Sequence, residues 1–294
     1  MQKISVVGHV ALDYIFSIPS FPDVNSSTYV IDYERFYGGG AANIAAAIAK
    51  LGGKCELISP VGMDFSDSGY ETHLENLGVK LDHLVKLEGK KTARAYIFND
   101  ERQNQITYFY WGASDHFPEL EAPKAEIVHI ATANPIFNVK MAQMAEFVSF
   151  DPGQDLVTYS VEELRSILSN TDMLFANRHE IQRLCNMTAR SFSDIGDEVE
   201  IVVVTYDVGG SQIYADERIE IPSVQARAIE PTGAGDGYRA GFLVGFVNGY
   251  DLEVCGKIGA TVASFVVEKR GSQTNLPDWS NMKERYERFF HEIV

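Results

Sequence analysis

Positive charge is what this sequence has least of. Its 294 residues carry 25 Lys and Arg against 41 Asp and Glu, a formal net charge of -16. That balance argues against nucleic acid and anionic membrane surfaces as partners. It does not argue against a nucleotide, whose charge is met by local backbone dipoles and a metal ion. The acidity itself reads as a solubility feature. Cysteine is also scarce. Cys55, Cys185 and Cys255 are odd in number and far apart, with no Cys-x-x-Cys or Cys/His spacing. This excludes a zinc site of the usual spacing and fits a reducing compartment. No apolar run reaches the roughly 18 residues of a membrane span, and Ile4-Ser5-Val6-Val7 opens the chain as a strand without a leader. The expected compartment is the cytoplasm. The seven histidines form no HxxxH or triad spacing, so none is assigned a catalytic role.

What is present is an ordinary globular composition, 45% hydrophobic and 22% charged. The length predicts one domain with an added subdomain, or two domains. Short Val- and Ile-rich runs recur at Ile4 to Val7, Glu56 to Ser59, Ile127 to Ile130, Val148 to Phe150, Met173 to Phe175 and Ile201 to Val204. Helical patterns lie between them, near Ala41 to Leu51, Asp67 to Leu77, Asn138 to Glu146, Val161 to Leu168 and His179 to Asn186. The alternation predicts βαβ units and a mainly parallel central sheet. The continuous apolar run Ile201 to Val204 fits a sheet covered on both faces.

Tyr14 to Tyr37 and Ala93 to Trp111 break this rhythm with alternating aromatic and β-branched residues, as in Thr28-Tyr29-Val30-Ile31. The polar run Asn99 to Asn104 makes Ala93 to Tyr110 a hairpin. Both stretches read as a small separate sheet that closes over a substrate and excludes water. Extension of the main sheet, or a dimer surface, is the alternative. After Ala228 a helix-rich tail runs to Val294, with Gly249 ending one helix and Asp251 capping the next.

Two glycine clusters carry the chemistry. In Pro231-Thr232-Gly233-Ala234-Gly235-Asp236-Gly237, small residues open an apolar helix running from about Tyr238 to Val247. Small residues let backbone N–H groups approach a ligand, and a helix start favours an anion such as phosphate. Asp236 at that mouth makes sense as a base that takes a proton from a nucleophile attacking the phosphate. In Gly38-Gly39-Gly40-Ala41-Ala42-Asn43, a triple glycine opens an alanine-rich helix. Taken alone it reads equally as a tight packing loop or as a binding loop.

Together with Gly8 to Asp13, Asn177-Arg178-His179-Glu180 and Thr205, these motifs follow the order and approximate spacing of the PfkB (ribokinase-like) carbohydrate and nucleoside kinases. The chain resembles that family over essentially its whole length. Ser149 to Leu156 and Ser272 to Pro277 resemble archaeal nucleoside kinases within it. The resemblance implies one α/β domain over 1–294, a three-layer α/β/α sandwich with a lid built from about 14–37 and 93–111. It implies an ATP-dependent nucleoside kinase acting on the ribose 5′-hydroxyl. The alternatives are a sugar kinase of the same family, or a nucleoside-binding protein without turnover.

Roles follow by position. Asp236 is implied as general base, with an anion hole at Gly233, Ala234 and Gly235. Asp13, Gly39 and Asn43 hold the sugar, and Gln105 and Gln154 contact substrate. Asn177, Thr205 and Gly210 contact the nucleotide, and Glu180 places magnesium through water. Potassium is implied near Glu230, Gly271 and Gln273, and a homodimer through the lid. Phe109, Tyr110 and Trp111 offer rings for a nucleobase. One loop departs from the pattern. Where the family has Thr-Lys-Gly-x-x-Gly, this chain has Thr205-Tyr206-Asp207-Val208-Gly209-Gly210, losing a cation and gaining an acid next to the expected triphosphate.

Overall fold

The structure is a computed structural model and describes residues 2–102 and 104–294. The chain opens with β1 (Lys3–Val7), leaves for β2 (Ala11–Ile18) and β3 (Asp32–Gly38), and enters α1 (Gly40–Lys50). It continues through β4 (Lys54–Gly62), α2 (Asp64–Asp67), α3 (Tyr70–Leu77), β5 (Lys80–Leu87), β6 (Ala93–Asp100) and β7 (Gln105–Tyr110). Next come β8 (Ala125–Ile130), α4 (Pro135–Ala142), β9 (Ala145–Phe150), α5 (Val161–Leu168), β10 (Met173–Asn177), α6 (Arg178–Thr188), α7 (Phe192–Gly196) and β11 (Ile201–Thr205). Two short strands, β12 (Ser211–Tyr214) and β13 (Arg218–Ile221), precede α8 (Ala234–Val247), α9 (Leu252–Val266) and α10 (Trp279–Phe290).

Nine strands form the main sheet in the order β13-β12-β11-β10-β9-β8-β1-β4-β5. The seven from β11 to β5 are parallel, and β12 and β13 run antiparallel at one edge. Alternation within single strands shows why the sheet needs helices on both faces. Ile201 and Val203 enter one core with α1, α8 and α9, while Val202 and Val204 enter the other with α4, α5 and α6. Met173 and Phe175 separate from Leu174 and Ala176 in the same way. Close helix contact is made possible by glycine. A Cβ at Gly241 would sit 2.9 Å from Val262 and 3.0 Å from Gly259 Cα, so α8 and α9 could not meet as they do with bulkier residues.

The second sheet is separate and has the order β3-β2-β6-β7. β6 and β7 form the expected hairpin, with Asn99 opposite Gln105; Gln103 of its turn lies outside the described residues. Three expectations change. Thr28 to Ile31 joins no strand, and Tyr29, Val30 and Ile31 are exposed. The helix expected over Asn138 to Glu146 is Pro135–Ala142, and Glu146 belongs to β9. Asn134 caps this helix by accepting from the N–H groups of Ile136 and Phe137, and Pro135 occupies its first turn. The helix expected over Asp67 to Leu77 is divided by Gly69, which takes a left-handed φ of 82°. Gly249, also left-handed, ends α8 as expected; Asp251 occupies the cap position of α9, but its side chain makes no capping bond. Among the described residues no helix is long and apolar enough to cross a membrane.

Candidate active site

Every parallel strand of an α/β sheet delivers its following loop to the same edge, and ligands bind there. Gly8 and His9 follow β1 at this edge, Thr132 follows β8, Asp151 follows β9, and Asn177 and Thr205 end β10 and β11. Asn177 and Thr205 are register partners, so the two nucleotide candidates stand side by side.

The sugar side is built by close backbone approach. A Cβ at Gly38 would sit 1.9 Å from Asp13 Oδ2, and one at Gly39 would sit 2.4 Å from the His9 carbonyl oxygen. Gly39 also takes φ 91° as it starts α1. These glycines let β3 press the loop before α1 against Asp13 on β2 and against His9. Asn43, in the first turn of α1, donates from Nδ2 to Asp236 Oδ2 at 2.8 Å. The two glycine-opened helices therefore meet, as expected for two sides of one cleft.

Asp236 lies deep among protein atoms while its cleft stays open to solvent. Burial raises its carboxyl above the ordinary value, the Arg239 guanidinium and the Asn43 amide pull it down, and Glu180 raises it. Burial, with repulsion from Asp236 added, pushes Asp13 up to about 7. Gly233 caps α8 with φ 83° and no side chain caps that end. The helix start thus retains its unpaired N–H character. Ser272 stands beside Gly233, with its Oγ buried and unpartnered.

Sequence reasoning missed Arg239. One turn into α8, it donates from Nη2 to Asp151 Oδ1 at 2.9 Å, with Nε 2.5 Å from Oδ2 but off the hydrogen-bond direction. The guanidinium lies against Gly235, where a Cβ would meet Nη1 at 2.4 Å. Burial raises the Asp151 carboxyl and Arg239 pulls it back. His9 was also passed over. It bonds Ser114 and Asp155, each at 3.0 Å, and packs against the rings of Phe109 and Trp111, which also touch each other. Tyr110 points away and is exposed.

Asn177 and Glu180 form a capping box on α6. Asn177 Oδ1 accepts from the N–H groups of His179 and Glu180, and Glu180 Oε2 accepts from that of Asn177 at 2.8 Å. The other Glu180 oxygen has no hydrogen-bond partner among the described residues. In the altered loop Asp207, in the place of a family glycine, has φ 53°, and Gly210 has φ 84°. Aspartate is among the few residues that tolerate this region. Arg178 lies 3.5 Å from Asp207 on the surface. Gln105 is not brought to the site; it bonds Asn99 at the hairpin end, four register positions from the Asp13 level. Gln154 is exposed just after Gly153, which touches Thr132 at the cleft wall. Two of the residues implied for potassium have side-chain partners of their own. Glu230 binds Thr232, and the Gln273 amide is engaged with Asn43, Tyr70 and His73.

Fold and site together define a class, a ribokinase-like α/β phosphotransferase. The pfkB family carbohydrate kinases match residues 1–279. A nucleoside kinase of Methanocaldococcus jannaschii is 50% identical over 98% of each chain. The solved structure of a nucleoside kinase from that organism, an archaeal member of the ribokinase family, superposes with a TM-score of 0.94 over 98% of this chain and 99% of that one. A Burkholderia thailandensis nucleoside kinase in complex with inosine, 27% identical, reaches 0.90 over 99% and 100%. The chain belongs to the pfkB carbohydrate kinase family and is a kinase.

Proposed function

We propose that this protein is an ATP-dependent nucleoside kinase that phosphorylates the ribose 5′-hydroxyl. The observation that carries the reading is the meeting of the two glycine-opened helices at the Asn43–Asp236 bond, with the Asp13 carboxylate facing the same cleft. Asp13 offers two acceptor oxygens to a vicinal diol. Asp236 takes the proton of the attacking hydroxyl as its oxygen bonds to the γ-phosphorus. The bond from that phosphorus to the β,γ-bridging oxygen breaks, and ADP leaves. The N–H groups at Gly233, Ala234 and Gly235 stabilise the charge on the transferring group.

Nucleoside is favoured over free sugar because the relative at 50% identity is a nucleoside kinase and the Burkholderia enzyme binds inosine. The Phe109 and Trp111 rings supply a wall suited to a base. Asn177, Thr205 and Gly210 are assigned to ATP. Magnesium would be held by phosphate oxygens and water, with Glu180 as the residue that would meet its water shell, since no three-residue metal cluster exists among the described residues. It supplies charge neutralisation on the phosphates. No step depends on potassium. The second sheet, over about 14–37 and 93–111, acts as the lid of one domain. Its exposed Tyr33, Ile106 and Tyr108 serve a homodimer.

A panel of adenosine, inosine, cytidine, ribose and fructose 6-phosphate with Mg-ATP tests the acceptor. Formation of nucleoside 5′-monophosphates is expected, and a preference for either sugar overturns the assignment. Asp236→Asn should lower kcat by at least ~100-fold; undiminished turnover in that variant would dismiss Asp236 as the base.

A further inference from the structure

A branched chain of hydrogen bonds leads from Asp236 to the half-buried ring of His73. Asn43 donates from Nδ2 to Asp236, and its Oδ1 accepts from Gln273 Nε2 at 2.9 Å. The same nitrogen reaches the Tyr70 hydroxyl oxygen at 2.6 Å, and Tyr70 donates to the Gly38 carbonyl at 2.8 Å. Gln273 Oε1 lies 3.0 Å from His73 Nε2. Asn43 and Gln273 are both buried.

Donor and acceptor chemistry permits one orientation throughout. The Gly38 carbonyl can only accept, so Tyr70 spends its proton there and presents its oxygen to Gln273. The Gln273 amino group then supplies one proton to Tyr70 and one to Asn43 Oδ1. Its own oxygen faces His73, which must carry a proton on Nε2. With its oxygen held, Asn43 has only its amino group to offer Asp236.

We propose that Gln273 is a positioning residue for phosphoryl transfer: it locks the Asn43 amide so that the amino group, and not the oxygen, meets Asp236. The proposal rests on the reading of Asp236 as the base. Asn43 by itself could turn over without changing shape, and an amide oxygen would then face the carboxylate. Gln273 opposes that turn, because its amino group would be left facing another amino group in a buried place. The bond it protects is charge-assisted and favours the ionised, proton-accepting form of Asp236. The chain is no proton wire, since its two amides have no proton to relay. Arg239, Glu180 and Asp13 also act on Asp236 through charge, and none of them bonds Gln273. The Tyr37 ring of β3 stacks on Tyr70 at 4.4 Å and packs, tilted, against His73 at 4.7 Å, so the far end of the chain is held by the second sheet.

The test is a double-mutant cycle on the purified enzyme, using Gln273→Met, Asn43→Ala and the pair, with kcat and the pH profile of kcat/KM as readouts. Gln273→Met is expected to lower kcat roughly tenfold and move the acid limb up by about one pH unit. Added to Asn43→Ala, it should change neither, because its effect passes through Asn43. Gln273→Glu keeps the volume and the acceptor for His73 but cannot donate to Asn43. It should raise the acid limb as well, and it serves where the Met variant does not fold. An acid limb unmoved by both substitutions, or effects of Gln273 and Asn43 that simply add, overturns the proposal. A wild-type profile with no acid limb, or full turnover in Asp236→Asn, instead removes the reading of Asp236 on which the proposal stands.

Discussion

Asp13 should make the empty enzyme less stable at neutral and alkaline pH, and Asp13→Asn should remove that cost. Burial first, and Asp236 second, push its carboxyl from 3.8 up to about 7. Each pKa unit is worth about 1.36 kcal/mol, so the rise amounts to about 4 kcal/mol. A carboxyl with a raised native pKa binds its proton more tightly when folded. Between 3.8 and about 7 the native state therefore holds more protons than the unfolded one, and stability falls as pH rises through that window. The full cost is present above about 7 and absent below 3.8. Asp13→Asn is nearly isosteric and cannot ionise. In urea titrations of the ligand-free protein it should gain up to about 4 kcal/mol over wild type at pH 8 and little at pH 4. Calorimetry at pH 8 should show nucleoside binding lost in the same variant, because one of the two acceptor oxygens becomes a donor. A stability difference that is equal at pH 4 and pH 8 would refute the reasoning.

Other substitutions probe separate parts of the site. Arg239→Met leaves Asp151 buried without its ion partner and should destabilise by about 3–5 kcal/mol, read as a lowered denaturation midpoint; adding Asp151→Leu should recover most of it. Gly38→Ala places a methyl group where the Asp13 carboxylate lies, so the KM for nucleoside should rise at least ~10-fold while the KM for ATP holds, a displacement of the kind that costs about 1–3 kcal/mol. Asp207→Gly releases an aspartate from φ 53° and removes a negative charge from the nucleotide loop. It should lower the KM for ATP a few-fold while changing stability by less than about 1 kcal/mol, because strain relief and the added unfolded-state entropy of glycine oppose each other.

Local pattern made much of this fold legible. Ile201 to Val204 announced a strand between two cores, and the glycine clusters announced two helix starts at a cleft. The strands that escaped notice lack that signal. β5, with the sequence KLDHLVKL, is an edge strand of mixed polarity, and β12 and β13 have four residues each. Thr28 to Ile31 shows the reverse case, strand-forming residues with no partner strand, because β-propensity is realised only through pairing. The helix start at Pro135 was masked because a proline reads as a break unless its cap is recognised. Within the site, Asp236 and Asp13 were legible from motifs. Arg239 was not, and Gln273 was singled out only for potassium and not for its bond to Asn43, since their partners lie 88 and 230 residues away in the chain. No local periodicity reports a contact of that span.

The charge balance of the cleft leads to a final prediction. Glu180 acts electrostatically on Asp151, Asp236 and Arg239. Those three acids surround one guanidinium, and Asp207 adds another acid at the nucleotide loop. A metal-free triphosphate approaching this edge meets net repulsion, and the start of one helix offers only about half a positive charge to offset it. On the proposed reading, magnesium on the phosphates would supply the missing charge, and Glu180 would favour the metal complex over the bare nucleotide. Glu180→Gln preserves the capping box, because glutamine serves at that position as well as glutamate does. It should weaken Mg-ATP and strengthen metal-free ATP, so the ratio of the two dissociation constants should narrow by roughly tenfold, the effect of about 1.4 kcal/mol expected for one nearby charge. Calorimetry with and without a chelator measures both. If both forms weaken together, or neither changes, the electrostatic account of the cleft is wrong.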